Sequence, residues 1–284
     1  MGFKDHFKRA KDIVLTNRNK LIKDGLYDGF DEDHEAAIEK FDRVIHLSLD
    51  DFDDTKNEAL FFKSVALCKL EKYDESVKIL EDLINGGYTS DILWAELGTV
   101  YSEQEKHDEA LKCFEKCIDL DPDHSGYLLL KAQSLVDLER SDEALKIADA
   151  CLADDSEDEF AFSIKCQSLL ELDRNQEIVD LSEKIIDEGE APYYTLAIAY
   201  SGLGKQEKAL ESIEKAIKYE PDDAILWYNK ACYLSLLDRK EEALDALFIA
   251  TSILPETLVE TREENDFENI KKTERFQKLI NTRI

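Results

Sequence analysis

The strongest constraint on this 284-residue chain is that its second half says nearly the same thing twice at a fixed offset. Laid over each other, residues 192–221 and 226–255 put Tyr193 over Trp227, Ala197 over Ala231, Ala209 over Ala243, Ala216 over Ala250 and Pro221 over Pro255. In the first copy Tyr193, Leu196, Ala197 and Tyr200 are spaced as the apolar stripe of a helix. Ala209, Leu210, Ile213, Ala216 and Ile217 repeat that spacing after a break. Gly204 supplies the break, because glycine takes the left-handed helix-ending conformation without steric cost. Pro221 ends the second helix, having no N–H and forcing its predecessor out of helical angles. Counting back from Ala209, the same column falls on Ile178, Ala144, Ala110 and Ser76. Each step repeats the offset of the two copies except the one from Ile178 to Ala209, which is shorter and places a deletion in the 187–189 turn. Helices of about 12 residues are marginal alone in water. Each pair must therefore bury its stripe on its neighbours, and stacking such pairs predicts an all-α, right-handed α-solenoid.

Residues 91–124 carry the fullest copy, with Trp94, Leu97, Gly98, Tyr101, Ala110, Phe114 and Pro122 in place. This resembles the tetratricopeptide repeat, a unit of about 34 residues whose pattern is W-x2-L-G-x2-Y, then A-x3-F, then P. The resemblance implies one superhelical domain over 1–284 with six repeats over 57–255. The leucine of the pattern is Lys63, Lys131, Lys165 and Lys230 in four copies, a variant that looks like one common in prokaryotic members. The lysine stems are expected along the apolar seam with the ammonium groups in water, the other reading being a functional lysine row.

The ends differ from the repeats. Residues 1–24 carry seven Lys or Arg against three Asp, and Phe3, Phe7, Ala10, Val14 and Leu21 lie close to one helical face. They predict a basic amphipathic helix that packs on the first repeat, meets a partner or membrane surface, or self-associates. Residues 25–56 read as a degenerate first repeat and an insertion, with Ala37, Phe41 and Val44 in the second-helix columns. Residues 256–284 read as capping helices, one over 256–264 and a last one carrying Phe267, Ile270, Phe276 and Ile280.

Composition narrows the function. A net charge of -29 repels polyphosphate and argues against nucleic acid. With 27 lysines the acidity does not have the look of salt adaptation. Either the carboxylates solvate a large surface or they await a basic partner. Cys117 and Cys151 occupy the Ala216 column and Cys166 the Gly98 column, so they read as buried thiols in a reducing compartment. No C-x2-C pair suggests zinc. Acidic clusters at 31–35, 50–54 and 154–159 fall in turns before helices, as do Asp108, Ser141 and Asp142. They read as caps, without the spacing of a calcium loop. The absence of any long apolar run points to a cytoplasmic protein without membrane spans.

No phosphate loop, nucleophile elbow or H-E-x-x-H motif occurs, which predicts a non-enzyme without cofactors. In the family resembled, first helices line a concave groove. By register the groove residues here are Phe61, Phe62, Glu96, Glu103, Leu129, Gln133, Asp137, Phe160, Ile164, Gln167, Glu171, Tyr194, Tyr228 and Asn229. Glu103, Asp137 and Glu171 are expected to form an acidic row beside an apolar floor of Leu129, Phe160, Ile164 and Tyr194. The Lys and Asn clamp with which some members hold terminal carboxylates is missing, since Phe61, Val65, Glu96, Gly126 and Leu130 stand at those sites. The expected function is a protein-interaction scaffold for an apolar and basic partner segment. The alternatives are a structural protein that assembles through its ends and a regulatory subunit of an enzyme complex.

Overall fold

The computed structural model describes residues 20–26, 33–47, 54–185, 192–257 and 265–281. The 1–19 stretch of the basic segment, the 187–189 turn, the insertion at 50–53 and all but the start of the expected 256–264 helix lie outside the described residues. Among the described residues every regular element is a helix. After a helical stretch at 20–26 come α1 (His34–His46), α2 (Asp54–Lys69), α3 (Tyr73–Asn85), α4 (Asp91–Glu103), α5 (His107–Leu120), α6 (Ser125–Asp137) and α7 (Ser141–Asp154). Then follow α8 (Glu159–Glu171), α9 (Asn175–Ile185), α10 (Tyr193–Gly202), α11 (Gln206–Tyr219), α12 (Ala224–Leu236) and α13 (Lys240–Ile253). A 3-10 turn (Asn265–Phe267) and α14 (Glu274–Asn281) complete the order. The chain divides into two compact units, Met1–Ile164 and Lys165–Ile284. In both, helices pack on their neighbours in sequence, as an α-solenoid requires.

In the first unit the helices of a pair meet where one of them has almost no side chain. A Cβ on Gly98 would lie 2.6 Å from the Phe114 ring. The same contact, at the same separation along the chain, joins Gly25 to Phe41, where a Cβ would lie 2.8 Å from the ring. Residues 20–26 and α1 are therefore a repeat in their packing, although the first of them lost the motif. Ala37, Phe41 and Val44 are buried as their columns predict. In the second unit Ala197, Ala231, Ala209 and Ala243 have no exposed surface, the small residues that allow helix axes to approach closely.

The turn inside each pair from α2–α3 to α12–α13 has one geometry. At α4–α5 the Lys106 N–H bonds the Tyr101 carbonyl and the Glu105 N–H bonds the Ser102 carbonyl, both at 2.9 Å. This is the Schellman arrangement, and it needs a left-handed residue at its centre. Gly204 fills that place with φ 70°, as its sequence position implies. In the other turns the residue is an acid, Glu71, Glu105, Glu139, Asp173 or Asp238, with φ between 54° and 59°. Helix signals that seek glycine miss these turns.

Charges tie repeat to repeat. Lys63 lies 2.6 Å from Asp42, Lys131 2.9 Å from Glu115, and Lys230 2.8 Å from Glu214. The expected lysine stems do line the seam, but these ammonium groups end on a carboxylate of the preceding second helix rather than in bulk water. The expectation of caps is met at Asp33, which accepts from the Ala36 N–H at 3.1 Å, and at Asp158, which accepts from the Ala161 N–H at 2.9 Å. It fails at Asp108, Ser141 and Asp142. Those helices begin earlier, with Lys106 and Arg140 at the cap making no side-chain bond, so the acids sit within the first turn and act on the dipole.

The C-terminal segment closes the last repeat differently from the expected single helix. Phe267 lies in the 3-10 turn and Ile270 just beyond it, and only Phe276 and Ile280 are on α14. Phe267, Ile270 and Phe276 are nonetheless fully enclosed. Ser235 Oγ donates to the Asp266 carbonyl at 2.6 Å, the Asn269 amide donates to the Ser235 carbonyl, and Arg275 pairs with Glu241 and Asp245.

The left-handed turns and the close crossings are each open to a stability measurement. Glu105→Gly, at an exposed left-handed position, is expected to stabilise the chain by about 0.5–1 kcal/mol, read as a higher denaturation midpoint. A lower midpoint would show that the turn carries no strain. Ala243→Leu, in a contact with no spare volume, is expected to cost about 1–3 kcal/mol, and an unchanged midpoint would refute the close approach.

Candidate functional site

The side chains singled out by register all fall on first helices, which are apolar nearly all round. Such a helix is buried on two sides, against its own partner and against the second helix of the preceding repeat. α2 and α4 also touch directly. What remains exposed is a strip narrower than the periodicity suggests.

In the Met1–Ile164 unit this removes two expected floor residues. Leu129 is 3% exposed and Ile164 0%, both inside the core that also contains Leu111, Ala132 and Ala148. Phe160, at the start of α8, is 42% exposed. Phe61 and Phe62 are half-buried and meet edge to face at 5.4 Å, and Phe62 also stacks on Phe41 at 6.0 Å. These two rings are anchored in the core and offer only part of their surface.

Glu96 is the unusual member of this strip. It sits half-buried on α4, and its carboxylate accepts no hydrogen bond among the described residues. Burial raises its pKa above the ordinary carboxylate value, and the charge of Lys69 at the end of α2 acts in the opposite direction. Its field reaches Cys68, whose thiol is pushed up to about 11 by burial first, then by Glu96 and Glu103. Burial likewise pushes the Cys113 and Cys117 thiols up to about 12, which leaves them protonated and poor nucleophiles near neutral pH.

The acidic residues at helix ends have individual surroundings. Glu103 is exposed. Asp137 accepts from the Gln133 side-chain amide at 3.1 Å, and its other oxygen is 3.3 Å from His107 Nδ1. Glu171 is exposed and belongs to the other unit. Gly202 takes the equivalent place on α10, so the column loses its acid there.

In the Lys165–Ile284 unit Gln167 is exposed, Tyr194 is 39% exposed, and Tyr228 and Asn229 are half-buried. The Asn229 amide donates to the Ile225 carbonyl at 3.0 Å and hydrogen-bonds the Tyr194 hydroxyl. Burial raises the Tyr194 pKa, opposed by that hydrogen bond. The Tyr228 ring meets Phe267 edge to face at 5.6 Å, so the C-terminal turn borders this strip. Register could not reveal that neighbour, because Phe267 lies outside the repeats.

Models of the tetratricopeptide repeat match residues 92–124, 191–223 and 212–245. No curated protein matches the chain in sequence. A tetratricopeptide repeat protein from Parabacteroides merdae is similar in structure, with a TM-score of 0.72 at 16% identity over 94% of this chain and 100% of its own. YrrB, a repeat protein of the same kind with an unusual peptide-binding site, gives a TM-score of 0.44 at 19% identity over 78% of this chain and 95% of its own. Among the described residues no helix is long and apolar enough to cross a membrane. The chain therefore contains tetratricopeptide repeats at 92–124, 191–223 and 212–245, and it shares the fold of the Parabacteroides merdae repeat protein.

Proposed function

We propose that the chain is a non-enzymatic scaffold for protein–protein interaction, and that the first-helix face of its Met1–Ile164 unit takes an extended partner segment alternating apolar and basic residues. Glu96 carries this reading. A carboxylate taken partly out of water with no hydrogen-bond donor among the described residues lowers stability, and a surface site has no structural need for one. A Lys or Arg delivered by a partner would restore the missing interaction. The exposed parts of Phe61 and Phe160 would take the apolar residues. In such a site burial supplies most of the affinity, and the charge sets orientation and speeds encounter. Glu103 and the acids at other helix ends would contribute to encounter, being exposed and screened within about 10 Å at 0.1 M salt.

Glu96→Gln separates this role from a structural one. The folded chain holds this carboxyl more protonated than the unfolded chain does, so the stability penalty of its charge is absent below about pH 4 and grows as pH rises through the raised value. The variant is therefore expected to melt higher than the parent at pH 7 and level with it at pH 4. Against an array of short peptides pairing apolar anchors with Lys or Arg, it should bind about tenfold more weakly, and arrays with Glu in place of the basic residues should bind neither protein. Stabilisation at pH 7 with unchanged peptide binding would remove Glu96 from the interaction.

A further inference from the structure

The Lys165–Ile284 unit has a pocket of about 360 Å³ on its first-helix side that repeat register does not anticipate. Tyr228 and Tyr233 contribute aromatic wall, and Tyr233 is itself fixed in the core at 3% exposure. Asp173 enters from the turn after α8, held left-handed at φ 54° with its N–H on the Leu170 carbonyl at 3.0 Å. Asp266 enters from the C-terminal segment, placed by the Ser235 hydroxyl on its carbonyl and by the Phe267 ring against Tyr228. Asn229 adds a side-chain amide, whose nitrogen donates to the Ile225 carbonyl. No Lys, Arg or His lines the pocket among the described residues. The space persists partly because α10 ends in Gly202 where α4, α6 and α8 end in Glu or Asp. A Cβ there would come within 2.5 Å of the Asn175 amide on the pocket wall.

We infer that this pocket takes the guanidinium of an arginine on the partner segment. Two carboxylates and a side-chain amide, contributed by three separate elements, offer acceptors in more than one direction, which suits the planar five-donor fork of arginine better than the point charge of lysine. The partly exposed Tyr228 adds an aromatic ring beside these acceptors. One of the carboxylates comes from the C-terminal segment, so the cap that closes the last repeat also completes the pocket. The inference rests on the scaffold reading above but concerns the other unit, so the two can fail separately.

The test uses the full chain and two short, acetylated and amidated peptides, one alternating leucine with arginine and the other leucine with uncharged citrulline. Binding is measured by titration calorimetry and mapped by amide chemical shifts. The arginine peptide is expected to bind at least about tenfold more tightly than the citrulline peptide, with shifts at Tyr228, Asn229 and Asp266. Asp173→Asn combined with Asp266→Asn should reduce that preference to about twofold or less. Asparagine tolerates the left-handed turn at position 173, so Asp173→Asn alone, melting as the parent does, should already lower the preference severalfold even if the Asp266 change loosens the cap. A preference undiminished in these variants, or lost instead on Glu96→Gln, would overturn the pocket while leaving the scaffold reading intact. Failure of the arginine peptide to bind at all would overturn both.

Discussion

Each repeat depends on one helix coming close to its partner, and in two pairs that approach is set by a glycine facing a phenylalanine. Gly98 against Phe114 and Gly25 against Phe41 show it directly, both pairs equally separated along the chain and both too tight for a Cβ. Only at that spacing can the second helix bury its stripe, and only a buried pair presents a regular surface for the next to stack upon. The contact outlasts the sequence motif. The pair made by residues 20–26 and α1 has lost the Trp, Leu and Tyr of the first helix but keeps the glycine and the phenylalanine. It also buries Ile22 at 6% exposure. In this pair the contact persists where the remaining motif residues of the first helix are lost.

That difference explains how far the fold could be read in advance. Second helices are amphipathic, so Ala110, Phe114, Ala209 and Ile213 announce themselves by spacing and are buried as expected. First helices are apolar on two flanks, and spacing alone cannot say which apolar residue faces a neighbour and which faces a ligand. Leu129 and Ile164 were placed on the open face by register and lie in the core for this reason. Phe160, one turn earlier on the same helix as Ile164, remains exposed. Turn positions were legible only where glycine marked them. At Glu105 and Asp173 the Schellman hydrogen bonds impose a left-handed conformation on residues that do not advertise it.

Charge acts more locally here than a count of carboxylates suggests. The lysines that replace the motif leucine lie on the seam by their stems, and Lys131 and Lys230 reach a carboxylate at the same place in the preceding second helix. An ion pair at this exposure contributes about 0–1 kcal/mol, so its use is in register more than in stability. A helix slipped by one position would separate the charges along with the apolar stripe. A second charged device recurs at the start of second helices, where Arg140, Arg174 and Arg239 fork onto Glu143, Glu177 and Glu242. These helices have no side-chain cap where a cap residue is described, and the glutamates lie near the positive end of the helix dipole.

A net charge of -29 is therefore weak support for a basic partner when taken as a whole. Many of the carboxylates have a local explanation. Glu71, Glu105, Glu139 and Asp238 occupy turns, Glu115 and Glu214 answer lysines, and Glu143, Glu177 and Glu242 answer arginines. Each of these is solvated or paired and loses little by being charged. The informative acids are those whose position costs something or that converge on a pocket. Glu96 is partly desolvated with no donor among the described residues, and Asp173 and Asp266 border a pocket lined by tyrosine. They lie in different units on first-helix faces, and neither place is distinguished by its share of the total charge. Of these, Glu96 is the carboxylate that burial has already taken partly out of water, and it is there that an incoming Lys or Arg would gain most from the protein relative to what it loses from solvent.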